Sequence, residues 1–248
     1  MKLYVVTHKE SSFIPKDRIF IGVGKNKEIN NVELYDNTNL NISEKNFCFC
    51  ELTALYWIWK NTKDDIVGLE HYRRFFCKKS HIFSIRTINS KKIINILKKY
   101  DCILPPKYQL FQSVFKDYSY YHDINDLMLC KDIINRLYPD YVKDFDKVMN
   151  QNDIYTFNMF IMKKDLLDSY CSWLFDILFE AEKSINLNAK DDYQVRVFGF
   201  LSERLFNVWL LHNKLSIKSI PVYMPNDTKY NSLKNKLSKI LNKKKVQK

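Results

Sequence analysis

Short β-branched and aromatic runs alternate with segments of helical period through the first hundred residues, and no other feature constrains the fold as tightly. Lys2–Thr7 and residues 18–23 are apolar runs that end in polar clusters, so both predict strands. Ser43 with Glu44 and Lys45 predicts the start of a helix reaching about Asn61, with Phe47, Cys50, Leu55, Ile58 and Trp59 at its apolar positions. A strand over 65–69, a helix over 89–99 and a strand over 101–104, stopped by Pro105-Pro106, continue the pattern. Units of this kind lay successive strands parallel and cover the sheet with helices. The second half is richer in helix. Leu127, Cys130, Ile134 and Leu137 recur at spacings of three and four, and 165–183 and 192–212 predict two long helices, with strands over 155–162 and 215–222. No internal repeat or low-complexity linker appears. The expectation is one α/β domain over residues 1–228, a mostly parallel central sheet flanked by helices, with an appended tail over 229–248.

Composition removes several function classes. No run approaches the roughly eighteen apolar residues of a spanning helix, and the amino-terminal apolar stretch is only Leu3 to Val6, so neither a membrane span nor a signal peptide is expected. Gly22 and Gly24 lack the third glycine of a dinucleotide fingerprint, which disfavours Rossmann dehydrogenases and Walker-type ATPases. The six cysteines include no Cys-x-x-Cys pair. They are read as buried free thiols in a reducing cytoplasm rather than as a zinc ribbon, redox site or disulfide scaffold. The net charge of +12 suggests nucleic acid until it is located. Residues 229–248 hold eight lysines and no acid, which leaves about +4 for the other 228 residues. Lys outnumbers Arg by 33 to seven, whereas base-reading surfaces lean on Arg, so no nucleic-acid partner is expected.

The densest chemical cluster is His71, Arg73 and Arg74, just past the carboxyl end of the strand over 65–69. Open α/β sheets bind ligands at that edge, and two guanidiniums with an imidazole can neutralise a diphosphate through charge-assisted hydrogen bonds. The competing assignment sends one Arg to solvent and the other into an ion pair, for example with Glu70. His8-Lys9 follows the first strand and joins the same pocket if the two loops are neighbours. A divalent cation that holds a diphosphate is commonly carried by an Asp-x-Asp motif after a strand. The nineteen aspartates form one such triplet, Asp144-Phe145-Asp146, in a segment that reads as helix and turn, so no metal or other cofactor is expected. Glu203 has apolar flanks and shares a helix face with Arg196 and Gly199, either as a general base or as half of a buried ion pair. Tyr170, Trp173 and Trp209, with Asn158-Met159-Phe160, suit a sugar platform if exposed and a core if not.

Several segments together carry a resemblance. They are Asp36-Asn37, Asn41-Ile42-Ser43, Asn46, the run Glu51-Leu52-Thr53-Ala54-Leu55-Tyr56-Trp57-Ile58-Trp59-Lys60-Asn61, and Gly68-Leu69 followed by His71-Tyr72-Arg73-Arg74. The chain resembles a family encoded in bacterial capsule and lipopolysaccharide gene clusters, long catalogued as a domain of unknown function and now grouped with glycosyltransferases. Val6-Thr7-His8-Lys9 and residues 158–162 and 199–206 also fit, so the resemblance covers about residues 1–223. It implies a GT-A-like fold and transfer of a sugar, galactose or galactofuranose in the family's known chemistry, from a nucleotide donor, with a UDP-sugar expected. The place of the usual Asp-x-Asp is then taken by Glu70-His71-Tyr72-Arg73-Arg74, where fixed cations stabilise the leaving diphosphate.

On that basis His71, Arg73, Arg74, His8 and Lys9 are expected to bind the donor diphosphate. Thr7, Asn41, Asn158 and Arg196 are expected to bind substrate, and Glu203 to be the catalytic base if the transfer is inverting; a retaining transfer would need a different account. The expected acceptor is an oligosaccharide, lipid-linked at the inner face of the bacterial inner membrane. Leu233, Leu237, Ile240 and Leu241 recur at helical spacing among the tail lysines, which predicts a basic amphipathic segment holding a cytoplasmic enzyme peripherally on an anionic membrane. A noncatalytic membrane-peripheral partner of a polysaccharide assembly complex and an anionic-polymer binding protein are the alternatives.

Overall fold

The structure, a computed structural model, describes residues 1–24, 28–78 and 86–225. The predicted tail over 229–248 and its boundary at 228 lie outside the described residues. The strands are β1 (Lys2–Thr7), β2 (Ile19–Gly22), β3 (Leu34–Tyr35), β4 (Ile66–His71), β5 (Phe75–Phe76), β6 (Cys102–Leu104), β7 (Tyr108–Gln109), β8 (Asp153–Ile154), β9 (Phe160–Lys163), β10 (Ile217–Ser219) and β11 (Val222–Tyr223). The helices are α1 (Asn46–Phe49), α2 (Leu52–Asn61), α3 (Ser90–Leu97), α4 (Val114–Tyr121), α5 (Ile124–Leu137), α6 (Val142–Asn150), α7 (Lys164–Glu182) and α8 (Val197–His212).

Seven strands form one sheet in the order β10-β6-β9-β4-β1-β2-β3. Strands β1 to β4 pair parallel, β6 pairs parallel with β10, and β9 runs against both of its neighbours. The mostly parallel α/β sheet expected from the βα alternation is therefore present. Strand β1 shows why it forms. Every residue from Leu3 to Thr7 is buried, as in a parallel strand covered on both faces. Tyr4 and Val6 point into the large core shared with α2, α7 and α8, while Leu3 and Val5 point to smaller clusters on the other face, with the period of two that a pleat imposes. Tyr170, Trp173 and Trp209 are 1%, 4% and 0% exposed. They are core, not a sugar platform.

Two local departures from the sequence reading shape the site. The single helix expected from Ser43 to Asn61 is broken at Cys50, whose φ of 51° ends α1. The break is stabilised because Asn46 Nδ2 and Thr53 Oγ1 both donate to the Cys50 carbonyl, at 2.8 and 3.1 Å. Glu51 is thereby set at the start of α2. The strand expected over 155–162 begins only at Phe160, because Phe157 and Asn158 take φ values of 78° and 49°. Left-handed backbone at residues with a Cβ is strained, and the neighbours that hold it define the site.

Candidate active site

Strands β1 and β4 lie side by side with Val6 opposite His71, so the loops after them leave the sheet together. Strand β9 runs the other way, which brings its entering turn, Phe157-Asn158, to the same edge. At this edge a cavity of about 520 Å³ opens between the loops after β1 and β4, α1 and the turn before α8. Its walls include Thr7, His8, Lys9, Cys50, Glu51, His71, Arg73 and Arg196.

The cations are presented by a hairpin. His71 N–H donates to Arg74 O at 3.2 Å and Arg74 N–H to His71 O at 2.8 Å, leaving Tyr72 and Arg73 at the tip of a two-residue loop. Behind it, Glu70 is fully buried. Its carboxylate meets Arg18 Nε at 2.5 Å and accepts the Phe76 N–H at 2.7 Å, pinning the strand that follows the loop. Glu70 is thus paired with Arg18 and with neither arginine of the loop. Arg73 is exposed, and its guanidinium and the Lys9 ammonium lie 5.7 and 5.5 Å from the Tyr72 ring, with His8 edge-on to the same ring at 5.2 Å. Among the described residues Lys9, Arg73 and Arg196 are in no ion pair.

The other groups interlock around the Phe157-Asn158 turn. Glu203 Oε1 accepts the Phe157 N–H at 2.8 Å, and the Phe157 carbonyl contacts His71 Nε2 at 2.6 Å. The Arg74 guanidinium lies 4.1 Å from the Phe157 ring centre. A carbonyl only accepts, so His71 carries its proton on Nε2 and leaves Nδ1 bare. Burial, with the Arg74 charge next, pushes the His71 pKa down to about 3. At that value the ring is neutral at physiological pH and would face a diphosphate as a neutral group, not as the cation expected from the sequence. Glu203 Oε2 meets Arg204 at 3.2 Å, and burial raises the Glu203 pKa against that neighbour. Asn158 Nδ2 reaches both Ser202 Oγ at 2.9 Å and Glu51 Oε1 at 2.8 Å. Glu51 is the one carboxylate among the described lining residues.

Residues 2–214 match the family described as Domain of unknown function (DUF4422). The chain belongs to this family. Among solved structures it is similar to the apo form of the WbbM bifunctional glycosyltransferase, with 30% identity and a TM-score of 0.80 over 91% of this chain and 45% of that one. It therefore spans a little under half of that protein's length. Among curated proteins nothing matches.

In this DUF4422 chain the fold gathers Thr7, His8, Lys9, His71, Arg73 and Arg196 at one cavity. Arg74, Asn158 and Glu203 do not line it; Arg74 and Glu203 act on the turn to which Asn158 belongs. Asn41 lies elsewhere, its Oδ1 accepting from Ser43 N and Oγ at 3.2 and 2.9 Å in a local turn. Asp144 and Asp146 sit in α6, engaged by His212 at 2.9 Å and Lys131 at 2.6 Å. Among the described residues no three His, Cys, Asp or Glu side chains gather as a metal site, and no helix is long and apolar enough to cross a membrane. Five cysteines are buried, but Cys50 stands on the cavity wall, where burial pushes its thiol up to about 11 and keeps it protonated. Nothing in the sequence marks Glu51 as functional, although it opens the longest stretch that carries the resemblance. Within one continuous helix it is only another polar position.

Proposed function

We propose that the chain is a nucleotide-sugar-dependent glycosyltransferase that adds galactose or galactofuranose, from a UDP-sugar, to a growing bacterial surface polysaccharide. The observation that carries the reading is the cavity at the carboxyl edge of the parallel strands, where Lys9, Arg73 and Arg196, in no ion pair among the described residues, share the walls with one described carboxylate, Glu51. The likeness to a bifunctional glycosyltransferase supports the reaction class. Breaking the bond from anomeric carbon to diphosphate places negative charge on the leaving group, and the three cations stabilise it. Glu51 Oε1 is held by Asn158 Nδ2, while Oε2 makes no hydrogen bond among the described residues. Oε2 takes the acceptor's hydroxyl proton as that oxygen attacks the anomeric carbon, giving the glycoside, UDP and a protonated Glu51. Glu203, His71 and Arg74 hold the turn that delivers Asn158.

The proposal requires no divalent ion, so turnover persists in excess EDTA. It also includes the lysine-rich residues 229–248 as the contact with an anionic membrane, whose deletion abolishes sedimentation with anionic liposomes. The deciding experiment is thermal stabilisation and hydrolysis across a panel of nucleotide sugars. UDP and one UDP-sugar should stabilise the protein; no response to any nucleotide sugar overturns the reading.

A further inference from the structure

Arg196 has a second neighbourhood besides the cavity. Its guanidinium lies 6.0 Å from the Tyr193 ring and 5.7 Å from the Phe200 ring. His122 stacks on Phe200 at 4.0 Å and lies nearly parallel to Tyr193 at 6.0 Å. Tyr121 follows 6.5 Å from His122, and Tyr120 is 4.8 Å from Tyr121. Tyr193, Tyr121 and Tyr120 are 52%, 57% and 75% exposed. A row of rings therefore runs across the surface from a residue of the cavity wall.

The row is held in place by the packing of Phe200 against the core and by polar contacts. Asp191 Oδ1 accepts the N–H groups of Tyr193 and Gln194 at 2.9 and 2.7 Å. Gln194 Nε2 donates to the Tyr121 carbonyl at 2.8 Å, and Gln194 Oε1 meets His122 Nδ1 at 3.1 Å, tying the end of α4 to the turn before α8. With Nδ1–H as that donor, His122 Nε2 is a bare acceptor.

This combination fits a sugar chain. The C–H faces of a pyranose carry positive partial charge and match the negative faces of aromatic rings. The surrounding hydroxyls find the His122 acceptor and the Arg196 donors. Tyrosine supplies such contact area at small entropic cost. Successive rings from Tyr193 through His122 and Tyr121 to Tyr120 lie 6.0, 6.5 and 4.8 Å apart, comparable with the length of one sugar in an extended glycan. An acceptor whose terminal hydroxyl enters the cavity must lay its earlier sugars on adjoining surface, and this strip begins at the wall. We propose that Tyr193, Tyr121 and Tyr120, with His122 and Arg196, bind the oligosaccharide acceptor behind its terminal sugar, an inference that rests on the cavity being a sugar-transfer site.

The test uses oligosaccharides of several sugars, released by mild acid from the surface polysaccharide of the cells that make this chain, titrated calorimetrically into the full-length protein. Wild type should bind them, and the Tyr121→Ala, Tyr120→Ala double variant, which leaves the ring beside Arg196 in place, should bind roughly tenfold more weakly or not at all, with UDP-sugar affinity unchanged. Both side chains are exposed, so the retained UDP-sugar affinity also reports an intact fold. Equal binding by wild type and variant, or none by wild type, overturns the strip. Self-association that the double substitution abolishes, without glycan binding, assigns the rings to a second copy and likewise overturns it. Tyrosine-dependent glycan binding with no UDP-sugar binding in wild type keeps the strip and sinks the donor reading, so the two failures are distinct.

Discussion

Two sets of residues build the cavity, and they are held very differently. Lys9, Arg73 and Arg196 are exposed and in no ion pair among the described residues, on a loop, a hairpin tip and the approach to a helix. Glu51, Asn158 and Ser202 form one hydrogen-bonded set and Glu203, Phe157 and His71 another, joined at the Phe157-Asn158 peptide, where two consecutive residues have left-handed backbone. Strain of about 1–3 kcal/mol per such residue persists only where neighbours over-determine the conformation, and here an acid, an imidazole and a guanidinium all hold Phe157. The difference follows from what each set must do. Attraction between charges falls off slowly with distance, so cations on flexible stems can follow a diphosphate. Proton transfer works only within about 2.6–3.2 Å, so the carboxylate that performs it has to be fixed.

The hardest way to break this comparison is to exchange the two glutamates' roles. Glu51→Gln keeps the shape and the Asn158 neighbourhood but removes the basic oxygen, so turnover should fall by roughly 10²–10⁴-fold while UDP affinity is unchanged. Glu203→Gln should behave oppositely. It retains an oxygen for the Phe157 N–H but loses the charge that meets Arg204, with a stability loss of about 1–3 kcal/mol by denaturant titration and nearly wild-type turnover per folded molecule. Collapse of turnover in the Glu203 variant with a spared Glu51 variant would make Glu203 the base.

A smaller effect separates the cations from the interlocked groups. Arg73→Ala should weaken UDP binding by about 1.5 kcal/mol, roughly tenfold, the low end for a hydrogen bond to a charged group because the guanidinium is exposed. Arg73→Lys should recover most of it, and added salt should narrow the gap between wild type and Arg73→Ala. An affinity that ignores both the substitution and ionic strength would move the diphosphate away from the hairpin tip.

The contrast also explains what the sequence could show. The strand that delivers His71-Tyr72-Arg73-Arg74 is legible because a run buried on both faces has a one-dimensional signature, and the parallel pairing then puts His8-Lys9 beside it. The break at Cys50 is not, since it rests on two side chains reaching back to one carbonyl within a stretch whose period is helical throughout. Nor is the turn at Phe157-Asn158, whose left-handed backbone has no glycine to announce it and is fixed by residues distant in the chain. The Glu70 partner is 52 positions away at Arg18. Aromatic residues misled for a related reason: α8 is apolar on nearly every side, so periodicity does not separate buried Trp209 from the exposed Tyr193 just before that helix.

The finest test asks whether His71 belongs to the interlocked set, and its expected outcome is no change at all. A cation in the diphosphate site would titrate near the ordinary histidine value of about 6.5. With Nε2–H bonded to the Phe157 carbonyl and the ring buried beside Arg74, the folded-state pKa is instead about 3. The unfolded chain then binds more protons than the folded one between these two values. The contribution of His71 to stability is therefore complete above about pH 6.5 and is lost as pH falls through that window toward 3. The ring C–H resonances of His71, assigned by comparison with His71→Gln, should accordingly stay flat from pH 8 down to about pH 5, with the shift pattern of the Nε2–H tautomer. A titration centred near pH 6.5 would release the Phe157 carbonyl from its donor and place His71 among the mobile cations. The Phe157-Asn158 turn would then hang on Glu203 and Arg74 alone, and the placement of Glu51 through Asn158 would lose one of its three supports.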